Sequence, residues 1–169
     1  ALHLARGGQR VALIDRGEIC RQASGVNAGT LTLHMTRAAL IPYAIRGREL
    51  WMDAVNWLGM DVGARAAPGL SLAFTEAERE MLEKRAASRT AMGAPIRLIT
   101  PTEALAIEPG LNPSMIDAAF CELDGHVTAY LTCRAYREAL VAAAAGVFEN
   151  APVTGIAPPL RWRNVRSPC

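Results

Sequence analysis

The first 29 residues constrain the fold most, because they contain a short apolar strand that ends in an acidic residue. Gly7 and Gly8 suit the end of a helix, where a left-handed residue is needed. Val11–Ile14 is an unbroken apolar run, as in a parallel strand covered on both faces. Asp15 follows at the carboxyl end of this strand, the edge at which open α/β sheets bind ligands. The pattern predicts the second half of a nucleotide-binding βαβ unit.

Asp15 has two interpretations. In dinucleotide-binding folds an acidic residue about 20 positions after the glycine fingerprint accepts hydrogen bonds from the ribose. Counting back from Asp15 puts that fingerprint before Ala1, so we expect the chain to begin inside the first helix. Alternatively, Asp15 only starts a surface turn with Arg16 and Gly17. The residues alone leave both interpretations open.

A loop of small residues comes next, with the sequence ASGVNAG from Ala23 to Gly29. Glycine and alanine leave room for a backbone to approach a cofactor closely. Asn27 is expected to bridge backbone groups through its side-chain amide. The alternative is a glycine-rich turn that contacts no ligand.

These segments resemble the FAD-dependent oxidoreductases of the D-amino-acid oxidase family, which includes glycine and sarcosine oxidases and D-amino-acid dehydrogenases. HLARGGQRVALIDRGE resembles the first helix and second strand of that family, and ASGVNAGTL resembles its flavin-contacting loop. Four later segments follow in the family's order and spacing: EAERE, GAPIRLITPTEALAIEPGL, DGHV and ENAPVTGI. The resemblance extends from Ala1 to about Ala157.

The resemblance implies FAD as the cofactor and a small amino acid or amine as the substrate. It places Asp15 on the adenosine ribose, Ser24 near the pyrophosphate, Gly29 to Leu31 near the isoalloxazine ring and Val153 near the adenine. It puts the phosphate-binding loop and the substrate-carboxylate arginine outside this chain. No catalytic residue is therefore assigned, and the chain alone is expected to be inactive. The full set of implied cofactor contacts is Asp15, Arg16, Ser24, Gly25, Asn27, Ala28, Gly29, Thr30, Leu31 and Val153.

Two other functions stay open at this point. The chain could be a non-catalytic, truncated remnant of such an enzyme. It could also belong to an NAD-binding Rossmann enzyme, because Asp15 would serve NAD equally well. The small-residue loop argues against NAD, since NAD enzymes do not usually pass such a loop near the ring there.

The predicted fold class is α/β, with a partial FAD-binding Rossmann-like (βαβ) domain and part of an antiparallel-sheet substrate domain. We assign residues 1–37 and 131–157 to the first domain, 38–130 to the second and 158–169 to an irregular tail. Val11–Ile14 and Val153–Ile156 are expected to form a parallel sheet. The expected antiparallel sheet contains Gly69–Phe74, Ile96–Ile99 and Ile116–Glu122. Helices are expected over residues 38–58, 75–92, 101–108 and 131–145.

The segment DGHV is expected to be a tight turn at Asp124-Gly125. His126 is either an acid–base group or a turn residue beside this glycine. The turn interpretation is favoured, because a flavin needs no protein base to accept hydride from a neutral amine.

Composition excludes several classes of protein. The net charge of +2 gives no electrostatic reason to expect nucleic-acid binding. The chain lacks an apolar run of about 18 residues, so no transmembrane segment is expected. We expect a cytoplasmic protein, peripheral to the inner membrane if it is a dehydrogenase. The cysteines and histidines lie at no metal-ligand spacing, so we expect no metal site and free thiols at Cys20, Cys121, Cys133 and Cys169.

Overall fold

The computed structural model describes residues 1–156, which divide into two compact units. Residues 1–19 and 140–156 belong to the first unit, and residues 20–139 form the second. The predicted tail at 158–169, with Cys169, lies outside the described residues. The domain bounds given above remain a prediction. No helix of the described part of the chain is long and apolar enough to span a membrane.

The described residues contain short strands and six α-helices. The strands are β1 (Ala12–Ile14), β2 (Thr30–Leu31), β3 (Arg65–Ala66), β4 (Gly69–Ala73), β5 (Ile96–Ile99), β6 (Asp117–Cys121), β7 (Gly125–His126) and β8 (Gly146–Phe148). The helices are α1 (Leu2–Arg6), α2 (Ile41–Met52), α3 (Ala54–Leu58), α4 (Glu76–Thr90), α5 (Pro101–Ile107) and α6 (Ala129–Ala142).

The first unit contains a two-stranded parallel sheet of β1 and β8. β1 is the strand predicted from the apolar run, but the prediction that it pairs with Val153–Ile156 is wrong. After α6 the chain turns at Ala144, which has φ 54°. The segment that immediately follows this turn, β8, therefore pairs with β1 in place of Val153–Ile156. Beyond β8, Pro152 has no N–H to donate to a strand ladder, and Val153–Ile156 is irregular and exposed.

The second unit is built on a three-stranded antiparallel sheet of order β4-β6-β5, which confirms the predicted antiparallel sheet to within one residue at strand ends. Alternation along β6 divides its side chains between two apolar clusters. Ala119 and Cys121 pack in the cluster that contains Ala86 of α4, whereas Ala118 packs with Ala104 of α5. One helix therefore covers each face of the sheet.

Capping sequences position these two helices. The hydroxyl groups of Thr75 and Thr100 each accept a hydrogen bond from the backbone N–H three residues later. The carboxylates of Glu78 and Glu103 in turn accept a hydrogen bond from the backbone N–H of the capping residue, which completes a capping box at each helix. Both predicted helix starts are confirmed.

The single helix predicted over 38–58 is interrupted. A 3₁₀ turn at Ala38–Leu40 precedes α2, and Asp53 separates α2 from α3. The side chain of Asp53 accepts a hydrogen bond from Asn56, and such local polar contacts compete with the helical backbone. Gly59 ends α3 in the left-handed region, as expected. The last predicted helix, over 131–145, is α6 and lies two to three residues earlier.

A small antiparallel sheet of order β2-β7-β3 contains the DGHV segment. The predicted tight turn at Asp124-Gly125 is wrong, because Gly125 and His126 form the central strand β7 and the turn lies at Glu122-Leu123. His126 is thus not a turn residue. It faces Thr30 of β2 and Arg65 of β3 in register, and the Nε of Arg65 donates to its Nε2 at 2.6 Å.

Candidate cofactor-binding site

The loop before β2 takes its shape from one amide side chain. The Nδ2 of Asn27 donates to the carbonyl oxygens of Ala23, at 3.1 Å, and Ser24, at 2.7 Å. Its Oδ1 accepts from the N–H of Gly29 at 2.7 Å. The expectation that Asn27 bridges backbone groups is confirmed. The loop is therefore braced internally, so its backbone is arranged before any ligand binds.

Two glycines allow this loop to approach neighbouring backbone. Gly29 is buried and has φ 67°, and a Cβ placed on it would lie 1.8 Å from the carbonyl oxygen of Val127. A Cβ on Gly25 would lie 1.7 Å from the carbonyl oxygen of Cys20. Both glycines are thus required for packing within the protein itself. Their contact with a flavin stays a prediction.

A cavity of about 380 Å³ borders the loop within the second unit. Ser24, Asn27 and Gly29 to Leu31 line it together with the aromatic side chains of Trp51 and Tyr136. Its size falls within the range of small-molecule sites, and such sites combine apolar walls with a few polar groups. The hydroxyl group of Thr30 beside two aromatic rings suits a flat ring system with polar edges. The residues present therefore fit the isoalloxazine part of FAD.

Asp15 lies at the carboxyl end of β1, in the first unit, as predicted. Its Oδ1 accepts a hydrogen bond from the N–H of Gly17 at 2.8 Å, which fixes the carboxylate. Its Oδ2 has no hydrogen-bond partner among the described residues. Arg16 and Val153 belong to the same unit and are exposed. The predicted contacts at Ser24, Gly25, Asn27, Ala28, Gly29, Thr30 and Leu31 belong to the second unit.

A buried polar cluster next to β2 was missed by the sequence analysis. Asp124 is 5% exposed and accepts four hydrogen bonds. The donors are the N–H of Leu33 at 2.8 Å, the hydroxyl of Thr32 at 2.9 Å, the Nδ1 of His34 at 2.9 Å and the thiol of Cys121. The Nε2 of His34 also contacts the carbonyl oxygen of Ala119 at 3.2 Å. These contacts tie the residues after β2 to the end of β6.

The electrostatics of this cluster favour a charged Asp124 and a neutral Cys121. Burial opposes ionisation of Asp124, but hydrogen bonds from His34, Leu33 and Thr32 outweigh it and hold the pKa of the carboxyl below its usual value. Burial, together with the charge of Asp124, raises the pKa of Cys121 to about 12.

Possible metal-ligand atoms of His34, Cys121 and Asp124 lie within 4.8 Å of one another, contrary to the scattered arrangement expected from the sequence. The side chains of His34 and Cys121 each donate a hydrogen bond to Asp124, so the cluster holds the segment after β2 against the residues that follow β6. The sequence offered little signal for it, because Asp124 lies about 90 residues from its partners on the segment 32–34.

The strand that ends in Asp15 and the small-residue loop at 23–29 are the features on which the resemblance to flavin-dependent oxidoreductases was based. Comparisons with known proteins agree. The family model described as "FAD dependent oxidoreductase" matches residues 1–166. The glycine oxidase of Bacillus licheniformis is 28% identical over 167 residues, which cover 92% of this chain and 43% of the relative.

Two solved structures illustrate the likeness. The glycine oxidase of Geobacillus kaustophilus superposes with a TM-score of 0.79 at 29% identity, over 88% of this chain and 42% of that protein. The L-proline dehydrogenase of P. horikoshii has a TM-score of 0.84 at 22% identity, over 94% of this chain and 42% of that protein. The second likeness shows the fold alone.

The chain belongs to the FAD-dependent oxidoreductase family of D-amino-acid oxidase type. FAD is the cofactor of this family, so the NAD-binding alternative is not supported. The chain spans less than half the length of the curated relatives that it matches.

Proposed function

We propose that the full gene product containing this chain oxidises the C–N bond of a small amino acid or secondary amine and passes a hydride to bound FAD. The observation that carries the proposal is the family match over residues 1–166, which includes the braced loop and the strand ending in Asp15. The likeness to glycine oxidases supports a small amino acid as the substrate.

Bound FAD would supply the hydride acceptor for this reaction. The residues of this chain would bind and orient it. The free Oδ2 of Asp15 would accept a hydrogen bond from the ribose, and the backbone of Gly29 to Leu31 would face the ring. Trp51 and Tyr136 would exclude water from the cavity. The oxidised amine leaves as an imine, which hydrolyses to an oxo acid. Oxygen or a quinone-type acceptor would take up the two electrons. A cytoplasmic location is part of this proposal.

The Asp15→Ala variant is expected to bind FAD about 10- to 150-fold more weakly, because a hydrogen bond to a charged group contributes about 1.5–3 kcal/mol. Titration of the apoprotein with FAD, followed by flavin fluorescence, measures this change. Asp61→Ala removes an exposed carboxylate from the other unit and should leave the affinity unaltered. Equal affinities for wild type and Asp15→Ala would remove Asp15 from the site.

The reaction itself is tested by anaerobic mixing of the FAD-loaded full gene product with glycine, sarcosine and larger amino acids. We expect the flavin absorbance to bleach with at least one small amino acid and an oxo acid to form. The matching carboxylic acids without an amine should have no effect. If dithionite bleached the flavin but no amino acid or secondary amine did, the proposed reaction would be wrong.

A further inference from the structure

Cys20, which precedes the small-residue loop at 23–29, and Cys133, in helix α6, are half-buried cysteines that lie close together. The Sγ of Cys133 lies 3.9 Å from the carbonyl oxygen of Cys20 and 3.6 Å from that of Ser24. Both side chains line the cavity beside the loop. Neither is used by the proposed reaction. We propose that Cys20 and Cys133 are a redox-sensitive thiol pair that forms a disulfide between this loop and α6.

The local backbone brings the two thiols together. Cys20 has φ 62°, an unusual conformation for a residue with a side chain, and the chain then turns so that Gly25 and Val26 donate to the carbonyl oxygen of Gln22. This tight turn brings the carbonyl groups of Cys20 and Ser24 to the same sulfur. The two side chains also interact directly: burial, and then a hydrogen bond that the protonated thiol of Cys133 donates to the sulfur of Cys20, raise the pKa of Cys133 to about 12.

The third described cysteine, Cys121, provides an internal comparison. It is fully buried in the apolar cluster beneath α4, and its thiol donates to Asp124. Cys20 and Cys133 instead border a cavity, through which a small oxidant reaches them. Oxidation is therefore expected at the pair and not at Cys121.

The oxidation is balanced with hydrogen peroxide as the oxidant. The thiol of Cys20 loses its proton and attacks the peroxide, which forms a sulfenic acid and releases water. The sulfur of Cys133 then displaces the hydroxyl group, which forms the S–S bond and releases a second water molecule. Overall the two thiols lose two electrons and two hydrogens, and the peroxide is reduced to two water molecules.

The test treats the full chain with hydrogen peroxide, in a Cys169→Ser background, and maps the sulfur chemistry by mass spectrometry. Trypsin and Asp-N together separate Cys121 from Cys133, because Asp124 lies between them. We expect a cross-linked peptide pair containing Cys20 and Cys133, with Cys121 still alkylated as a free thiol. In Cys133→Ser we expect Cys20 to accumulate as a sulfenic acid that dimedone traps.

Two results would overturn the proposal. One is that Cys20 and Cys133 remain separately alkylated in the folded, peroxide-treated chain. The other is that dimedone traps Cys20 to the same extent in wild type and Cys133→Ser, since that would show that Cys133 does not react with it. FAD is not needed for either measurement, so a failure of the proposed function would leave this test intact.

Discussion

Gly29→Ala is expected to destabilise the protein by about 3 kcal/mol or more. The added Cβ would lie 1.8 Å from the carbonyl oxygen of Val127, and alanine would have to adopt φ 67°. The backbone cannot move away easily, because the N–H of Val127 donates to the carbonyl oxygen of Gly29 at 2.9 Å. Urea unfolding, followed by tryptophan fluorescence, measures the change through its midpoint.

Gly47→Ala is the matched control. This glycine lies inside α2, and nothing is within 4 Å of the position of its Cβ. Alanine is the better helix former, so the control is expected to stabilise by about 0.5–1 kcal/mol. If Gly29→Ala unfolded at the same urea concentration as wild type, Gly29 would not lie as close to the carbonyl group of Val127 as the structure has it.

Asp124→Asn is expected to destabilise by about 3–5 kcal/mol, because it removes the buried charge that four donors share. An amide can accept fewer of these hydrogen bonds, and its own NH₂ group faces donors. The variant should also change the pH dependence of stability. The folded pKa of Asp124 lies below the unfolded value of about 3.9, so its contribution is complete above that value and is lost as the pH falls through the folded pKa.

Urea unfolding at a series of pH values tests both effects. We expect the stability of wild type to fall on acidification more steeply than that of Asp124→Asn, which lacks the titrating group. Asp61→Asn is the control, because Asp61 is exposed and accepts one hydrogen bond, from the N–H of Gly63, that asparagine retains. Parallel pH profiles for wild type and Asp124→Asn would show that the carboxylate does not stabilise the fold.

The sequence correctly predicted the helix ends that depend only on neighbouring residues. The caps at Thr75 and Thr100 and the helix end at Gly59 depend on residues within one turn of the helix. The antiparallel strands were bounded by turn residues and were placed to within one residue. The partner of β1 was predicted wrongly, because pairing depends on how the chain turns after α6. Nothing in a short apolar run specifies which other run will lie beside it.

The sequence predicted only part of the candidate cofactor-binding site. The loop at 23–29 was recognised by its small residues, and the bridging role of Asn27 followed from its amide chemistry. The reason for Gly29 was different from the one expected. The sequence explained Gly29 by the close approach of a cofactor, whereas the structure explains it by the contact of its Cβ position with the carbonyl oxygen of Val127. The Asp124 cluster was not foreseen, because its members meet only through the tertiary fold.

The central claim is that this chain contacts FAD through the loop Ser24 to Leu31, and hydrogen exchange tests it most directly. The exchange rates of backbone amides are measured in the full gene product with and without FAD. We expect slower exchange at residues 24–31 when FAD is added, no change with NAD, and no change within α4. Bound FAD, seen by its visible absorbance, with unaltered exchange at residues 24–31 would contradict the account.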